Sequence, residues 1–199
     1  MTAVIDYGAG NIFSLKNALD YLGIENKLVN DEESIRNADR IILPGVGAFP
    51  AAMKMLDKSG LTDIIKEEAG KKPFLGICLG MQLMFEKGYE FETSDGLGLI
   101  EGCVGKIEEP NLIIPHMGWN KLEILNNCRL LDNIGDNAYV YFVHSYKAFC
   151  DDKYISAYSE YGGRVPALVH DGKFAYGCQF HPEKSGETGL QILRNFISL

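Results

Sequence analysis

Short apolar runs alternate with helix-like patterns along the first half of the chain. The apolar runs, each with the length and composition of a buried strand, are Thr2–Tyr7, Lys27–Val29, Arg40–Pro44 and Pro73–Cys78. Between them, hydrophobic residues recur at the spacing of amphipathic helices; these segments are Ile12–Leu22, Ala51–Leu56, Leu61–Ala69 and Leu79–Glu86. Strands that alternate with helices predict a parallel sheet with helices on both faces.

The second half of the chain has the alternation of antiparallel strands. Its β-type runs, separated by glycine turns, are Gly96–Glu108, Lys121–Leu125, Ala138–Cys150, Tyr154–Gly163 and Val165–Phe180. A last amphipathic helix is expected over Thr188–Ile197. No repeat, low-complexity linker or domain boundary interrupts the sequence, so a single domain spanning residues 1–199 with a mixed sheet is predicted.

Composition and charge exclude several classes of protein. Hydrophobic residues make up 46% of the chain and charged residues 23%, as in an ordinary globular protein. No apolar run approaches the roughly 18 residues of a membrane span. The N-terminal stretch has no signal-peptide pattern, so a cytoplasmic location is expected. A net charge of −8 argues against a nucleic-acid partner, because nucleic acids need clustered Lys and Arg.

Cysteine usage argues against zinc and disulfide frameworks. The five cysteines are Cys78, Cys103, Cys128, Cys150 and Cys178. They form no CxxC pair, which disfavours a zinc ribbon or a thioredoxin-type redox site. Their odd number and the expected reducing compartment disfavour a disulfide scaffold. No metal and no cofactor is therefore expected, and one thiol can be considered for catalysis.

Cys78 lies at the junction between a predicted strand and a predicted helix, in the stretch GICLG. A thiol at a helix N-terminus is favoured as the reactive thiolate, and the N–H of Leu79 could stabilise an oxyanion. Gly76 and Gly80 flank the thiol in the manner of a nucleophile elbow. A small buried residue that fills a tight corner is the alternative interpretation.

A thiol nucleophile needs a base, and His181 is the best candidate among the four histidines. In the segment FHPE, His181 and Glu183 are two residues apart and can lie on one side of an extended chain. Glu183 could then orient the imidazole, as the third member of a catalytic triad does. A surface His–Glu pair at a strand end is the alternative.

Two glycine turns follow predicted strands. The segment Gly8–Asn11 lacks the third glycine of a dinucleotide-binding fingerprint, so a nucleotide site is disfavoured. The turn Pro44–Gly47 follows a strand of the predicted parallel sheet. Because ligand crevices form at the carboxyl ends of such strands, this turn and Cys78 are expected at the same edge.

Taken together, these segments resemble the class I glutamine amidotransferases. The motifs that carry the resemblance are DYGAGN, LPGVGAF, GICLGMQ, PHMGWN, YFVHSY and QFHPEKS, which occur in this order and span nearly the whole chain. PHMGWN is typical of the glutaminase subunits of imidazole glycerol phosphate synthases within that family. The resemblance implies a flavodoxin-like α/β fold, with a central, mostly parallel mixed sheet flanked by helices and extra antiparallel strands in the second half.

The same resemblance implies a glutaminase activity and a set of site residues. Cys78 would attack the glutamine carboxamide, His181 would transfer protons and Glu183 would orient His181. The oxyanion would be held by backbone N–H groups of Val46 and Leu79. The implied glutamine-binding residues are Gly47, Gln82, Glu90, Ser145 and Tyr146.

A partner is also implied by the resemblance. In this family, ammonia passes to a (β/α)₈-barrel synthase subunit, which makes imidazole glycerol phosphate and an aminoimidazole carboxamide ribonucleotide in histidine biosynthesis. The implied contact residues of this heterodimer are Asn11, Pro115, His116, Trp119 and Lys184. For Trp119, ordinary core packing is the alternative, and for Lys184, a solvated surface charge.

Three other functions remain compatible with the sequence. A paralogous glutaminase–barrel pair could serve another amidation pathway with the same motifs. A stand-alone γ-glutamyl hydrolase could use the same triad, although PHMGWN would then have no role. A non-catalytic binding module would require the triad to be inactive.

Overall fold

An eight-stranded mixed sheet forms the centre of the computed structural model, which describes residues 1–108 and 112–199. The strands, in order across the sheet, are β2 (Asn26–Val29), β1 (Thr2–Ile5), β3 (Arg40–Gly45), β4 (Phe74–Cys78), β14 (Ala175–Cys178), β13 (Arg164–His170), β12 (Ile155–Glu160) and β9 (Glu123–Ile124). From β2 to β14 the pairings are parallel, and from β14 to β9 they are antiparallel. The predicted mixed sheet is confirmed.

Helices cover both faces of this sheet and create two separate cores. They are α1 (Ile12–Tyr21), α2 (Glu32–Asn37), α3 (Phe49–Ser59), α4 (Thr62–Ala69), α5 (Leu79–Gln82) and α6 (Gly186–Ile197). Buried side chains of α1 and α6 pack with one face of the sheet, and those of α2, α3 and α4 with the other. In the described ranges, no helix is long and apolar enough to cross a bilayer.

Two smaller sheets lie beside the main one. The first pairs β8 (His116–Lys121) with β10 (Tyr139–His144) in antiparallel register. The second contains β11 (Tyr146–Phe149), β7 (Ile100–Lys106), β5 (Phe85–Gly88) and β6 (Ser94–Asp95), in this order. Only Ser145 separates β10 from β11, so the chain passes from one small sheet to the other in a single residue.

The predicted length of the helix after Cys78, Leu79–Glu86, is wrong. The helix ends at Gln82, and strand β5 begins at Phe85. Every residue from Leu79 to Phe85 is buried, so this segment has no polar face that could lie against solvent as in an amphipathic helix. Phe85 instead pairs with Ile100 of β7. Continuous apolar runs of this kind fit a buried strand as well as a helix.

Candidate active site

The backbone at Cys78 adopts the conformation of a strained elbow. Its φ of 54° and ψ of −110° lie in a region that non-glycine residues rarely occupy. A Cβ at Gly80 would lie 1.8 Å from the carbonyl oxygen of Leu43, and one at Gly76 would lie 2.6 Å from that of Gly80. The flanking glycines are therefore required by close backbone approach, as the GICLG pattern predicts.

His181 reaches the same edge of the sheet from the adjacent strand. β14 is parallel to β4, with Cys178 in register with Ile77. The segments that follow these two strands therefore leave the sheet side by side. The His181 N–H donates to the carbonyl of Tyr141 at 3.0 Å. The Ser185 hydroxyl donates to the carbonyl of His181 at 2.7 Å. These bonds fix the backbone that carries the imidazole.

Glu183 holds the imidazole in one orientation. His181 Nδ1 lies 2.8 Å from Glu183 Oε1, and the two side chains are only 4% and 2% exposed. Burial alone would lower the pKa of His181, but hydrogen bonds with Cys78 and Glu183 outweigh it and raise this pKa to about 9. The imidazole is therefore charged at neutral pH, and an adjacent imidazolium favours the thiolate form of a cysteine.

A cavity of about 260 Å³ opens over this thiol. Its lining residues are Val46, Gly47, Cys78, Leu79, Gln82, Glu90, Val143, His144, Tyr146 and His181. All of the residues expected to bind glutamine or an oxyanion are among them except Ser145. Ser145 is half-buried beside the cavity, and its carbonyl accepts a hydrogen bond from the N–H of Ile107 at 3.0 Å.

The polar residues of this cavity are held by the protein itself. Glu90 Oε2 accepts the N–H of Phe49 at 2.8 Å. Burial and then the nearby charge of Glu90 raise the pKa of Tyr146, which keeps the phenol neutral. Gln82 Nε2 donates to the carbonyl of Tyr146 and to Gln179 Oε1, both at 2.9 Å. Since both amide hydrogens are used, Gln82 presents only its carbonyl oxygen to a ligand.

Four of the five residues expected to contact a partner lie at or near the surface. Asn11 is half-buried, while Pro115, Trp119 and Lys184 are exposed. Asn11 and Glu183 line one small cavity together. Trp119 is 53% exposed and lies 3.9 Å from a Cβ placed at Gly186, next to the segment that carries Lys184. Core packing therefore does not explain Trp119.

His116 is the exception, since its side chain is fully buried. Its ring is stacked between those of Phe142 and Tyr161, with centroid distances of 4.7 and 3.9 Å. Along β8, His116 faces inward while Met117 and Trp119 are exposed. His116 was expected among the partner-contact residues; its side chain is covered in this structure, where Nδ1 lies 2.9 Å from His144 Nε2 and Nε2 lies 2.8 Å from Asn120 Oδ1.

Two polar residues near the thiol were not singled out from the sequence. His144 lines the cavity, and Gln179 is fully buried with Nε2 3.9 Å from Cys78 Sγ. Both belong to motifs that carried the resemblance, YFVHSY and QFHPEKS. Their positions within those motifs, next to predicted site residues, were the available signal.

Comparison with known proteins identifies the family of this chain. A family model described as glutamine amidotransferase class-I matches residues 3–199. The chain belongs to this family of glutamine-using enzymes. It is 50% identical over 198 residues to imidazole glycerol phosphate synthase subunit HisH of Listeria monocytogenes serovar 1/2a, covering 98% of this chain and 94% of that protein. The corresponding subunit of Bacillus cytotoxicus is also 50% identical, with 98% and 93% coverage.

Solved structures support the fold at lower identity. A crystal structure titled glutamine amidotransferase superimposes with a TM-score of 0.76 at 22% identity, covering 98% of this chain and 97% of that chain. A structure of PurLQS from Thermotoga maritima gives a TM-score of 0.74 at 20% identity, with coverages of 99% and 97%. These likenesses confirm the α/β amidotransferase fold.

The raised pKa of His181 predicts a loss of stability at high pH. Because this pKa is higher in the folded chain than the usual histidine value of 6.5, the stabilisation is complete below about pH 6.5 and is lost as pH rises through about 9. At about 1.4 kcal/mol per pKa unit, it is on the order of 3 kcal/mol. We expect Glu183→Gln to reduce the decline in the free energy of unfolding between pH 7 and 10, measured by urea titration.

Glu187→Gln is the matched control for this prediction, because Glu187 is an exposed carboxylate paired with Arg194. The Glu187→Gln variant should show the same decline in the free energy of unfolding between pH 7 and 10 as the wild type. An identical pH dependence in the wild type and Glu183→Gln would contradict the role given to the His181–Glu183 hydrogen bond.

Proposed function

We propose that this chain, as a single domain, is the glutaminase subunit of an imidazole glycerol phosphate synthase. It would hydrolyse L-glutamine to glutamate and ammonia and supply the ammonia to a synthase subunit in histidine biosynthesis. The observation that carries the proposal is that Cys78 and His181, far apart in sequence, line one cavity, with Glu183 Oε1 2.8 Å from His181 Nδ1. The 50% identity to imidazole glycerol phosphate synthase subunits HisH of two bacteria supports the choice of synthase.

The chemistry follows from these three side chains. The Cys78 thiolate adds to the side-chain carbonyl carbon of glutamine and forms a C–S bond, and the electron pair of the C=O moves to oxygen. When the carbonyl re-forms, the C–N bond breaks and His181 gives its proton to the departing nitrogen, which leaves as ammonia. His181 then takes a proton from water, the water oxygen bonds to the thioester carbon, and the C–S bond breaks; this releases glutamate and restores the Cys78 thiolate beside protonated His181.

Backbone N–H groups of Val46 and Leu79 are proposed to hold the oxyanion of both tetrahedral intermediates. The two residues approach the cavity from neighbouring strand ends, after β3 and at the start of α5. Gly47 has a φ of +104°, and no atom of the described residues lies within 4 Å of a Cβ placed there. The loop therefore has room for a peptide rotation that forms or removes the Val46 donor, which would make the activity depend on the partner.

Glutamine binding is proposed to use polar groups that converge on the cavity. Glu90 offers a carboxylate for the α-ammonium group, and Gln82 offers its carbonyl oxygen. Tyr146 and Gly47 line the wall beside them. Ser145 lies between His144 and Tyr146 and does not itself line the cavity. It is proposed to contribute to glutamine binding through its backbone.

The proposed partner is a (β/α)₈-barrel subunit that receives ammonia and forms a heterodimer with this chain. Asn11, Pro115, Trp119 and Lys184 would contact it; Asn11 lines a small cavity with His181 and Glu183, and Trp119 lies near Gly186. This position supports the proposal, because ammonia formed at the triad would leave beside the contact. Transfer inside protein avoids protonation and loss of ammonia in water.

The decisive experiment is a glutaminase assay of the purified chain with and without the barrel subunit and its nucleotide ligand. We expect weak glutamate release from the chain alone and an increase of at least tenfold with both additions. Full activity without a partner, on glutamine or γ-glutamyl peptides, would instead favour a stand-alone hydrolase. Stimulation by a different barrel and ligand, but not by this pair, would favour the paralogous pathway.

A further inference from the structure

Gln179 is a buried polar residue that touches the candidate nucleophile. Its side chain is fully buried, and its Nε2 lies 3.9 Å from Cys78 Sγ. The thiol's other polar neighbours are the imidazole of His181 and the carbonyl oxygen of Val143, which is 4.0 Å from the sulfur. A carbonyl oxygen can only accept, so it offers a thiolate no hydrogen bond. Gln179 is therefore a candidate amide donor to the sulfur.

The orientation of the Gln179 amide is fixed by its neighbours. The carbonyl oxygen of Tyr146 can only accept, so the group of Gln82 that faces it at 2.9 Å must be the amide nitrogen. The same nitrogen lies 2.9 Å from Gln179, which must present its oxygen to it. The amide nitrogen of Gln179 is then left to point at Cys78. This orientation follows from a backbone carbonyl, which cannot be reversed as a side-chain amide can.

The carbonyl of Tyr146 is itself held from a second side. His144 Nδ1 lies 2.8 Å from it and must donate. Burial lowers the pKa of His144 to about 3, so the ring is neutral and its Nε2 accepts. His116 Nδ1 lies 2.9 Å from that nitrogen, and its Nε2 lies 2.8 Å from Asn120 Oδ1. A buried chain of close polar contacts thus runs from His116 in β8 to the sulfur of Cys78.

We propose that Gln179 donates a hydrogen bond to the Cys78 thiolate and that Gln82, Tyr146, His144 and His116 orient this donor. The proposal rests on the proposed role of Cys78 as the nucleophile. A hydrogen bond to an ionised acceptor is stronger than one between neutral groups, so the amide favours the thiolate over the thiol.

The row of polar contacts from His116 to Cys78 gives the buried His116 a role in positioning the Gln179 donor. His116 lies in β8, between the exposed residues Met117 and Pro115. A displacement of β8 would be transmitted through His144 to the Tyr146 carbonyl, and from there to both glutamine amides. His116 and His144 are therefore positioning residues, whereas Gln179 touches the reacting atom.

The test is the rate at which iodoacetamide alkylates Cys78 at pH 7, followed by mass spectrometry of the Cys78 peptide. This rate needs neither glutamine nor a partner. Gln179→Met keeps the length of the side chain but removes the donor, and we expect the rate to fall about tenfold. Gln179→Glu places a carboxylate beside the sulfur and should lower the rate further, because like charges repel. Thermal unfolding of each variant shows whether it is folded.

Gln191→Met is the matched control, since Gln191 donates to Asn195 in α6 and does not line the cavity. It should alkylate at the wild-type rate. A wild-type rate in folded Gln179→Met and Gln179→Glu would overturn the inference. This outcome is distinct from failure of the proposed function, which is tested by glutamate release from a Cys78 variant.

A second measurement applies if the Gln179 variants do not fold. In ¹⁵N-labelled protein, the side-chain amide resonances of Gln179 should shift on Cys78→Ala, while those of Gln191 should not. An unchanged Gln179 amide signal would show that no hydrogen bond to the sulfur exists and would overturn the inference.

Discussion

Replacement of Cys78 by alanine is expected to lower glutamate release by roughly 10⁴-fold or more, because the reaction loses the atom that forms the covalent intermediate. The substitution leaves the Cβ and the elbow geometry in place, so the variant should remain folded, with a cooperative thermal unfolding transition. Glutamate release is measured in the presence of the barrel subunit and its ligand, where the wild-type rate is highest.

Cys103→Ala provides the comparison, since Cys103 lies in β7 and is not part of the cavity lining. It should retain the wild-type rate of glutamate release. Persisting activity in Cys78→Ala would reject Cys78 as the nucleophile, and with it the proposed mechanism.

Gly80→Ala is expected to destabilise the chain by about 4 kcal/mol or more, or to prevent folding. The added Cβ would lie 1.8 Å from the carbonyl oxygen of Leu43, which belongs to β3 in the middle of the main sheet. Neither the backbone of Gly80 nor that of Leu43 can move without disturbing the pairing of β3 with β4. The measurement is the free energy of unfolding from urea titration, together with the yield of soluble protein.

Gly135→Ala is the matched control, because nothing lies within 4 Å of a Cβ at Gly135 and its φ is not positive. It should change the free energy of unfolding by less than about 1 kcal/mol. Equal stability of Gly80→Ala and the wild type would show that the elbow does not require close backbone contact.

The sequence predicted the parallel half of the fold well because each element there has a local signature. Apolar strands such as Arg40–Pro44 are bounded by glycine and proline, and the motif around Cys78 has glycines where backbones touch. Helix α6 has a regular apolar face, and its predicted end at Ile197 is confirmed. Such signatures depend only on residues that are neighbours in the sequence, so a single amino-acid sequence is enough to reveal them.

Other features depend on contacts between distant segments and could not be predicted in this way. The segment after Gln82 is a strand because Phe85 finds a partner in β7, which no local pattern specifies. The burial of His116 depends on rings from Phe142 and Tyr161. The donor role of Gln179 depends on a carbonyl more than thirty positions away in the chain, at Tyr146.

The parallel pairing of β4 with β14 has a consequence for how such chains can vary in length. The in-register pairing of Ile77 with Cys178 sets the positions of Cys78 and His181 relative to each other. An inserted or deleted residue in either strand would slide one group by about 3.3 Å and turn alternate side chains to the opposite face. Insertions and deletions are therefore expected to be tolerated in the connecting loops and eliminated from these two strands.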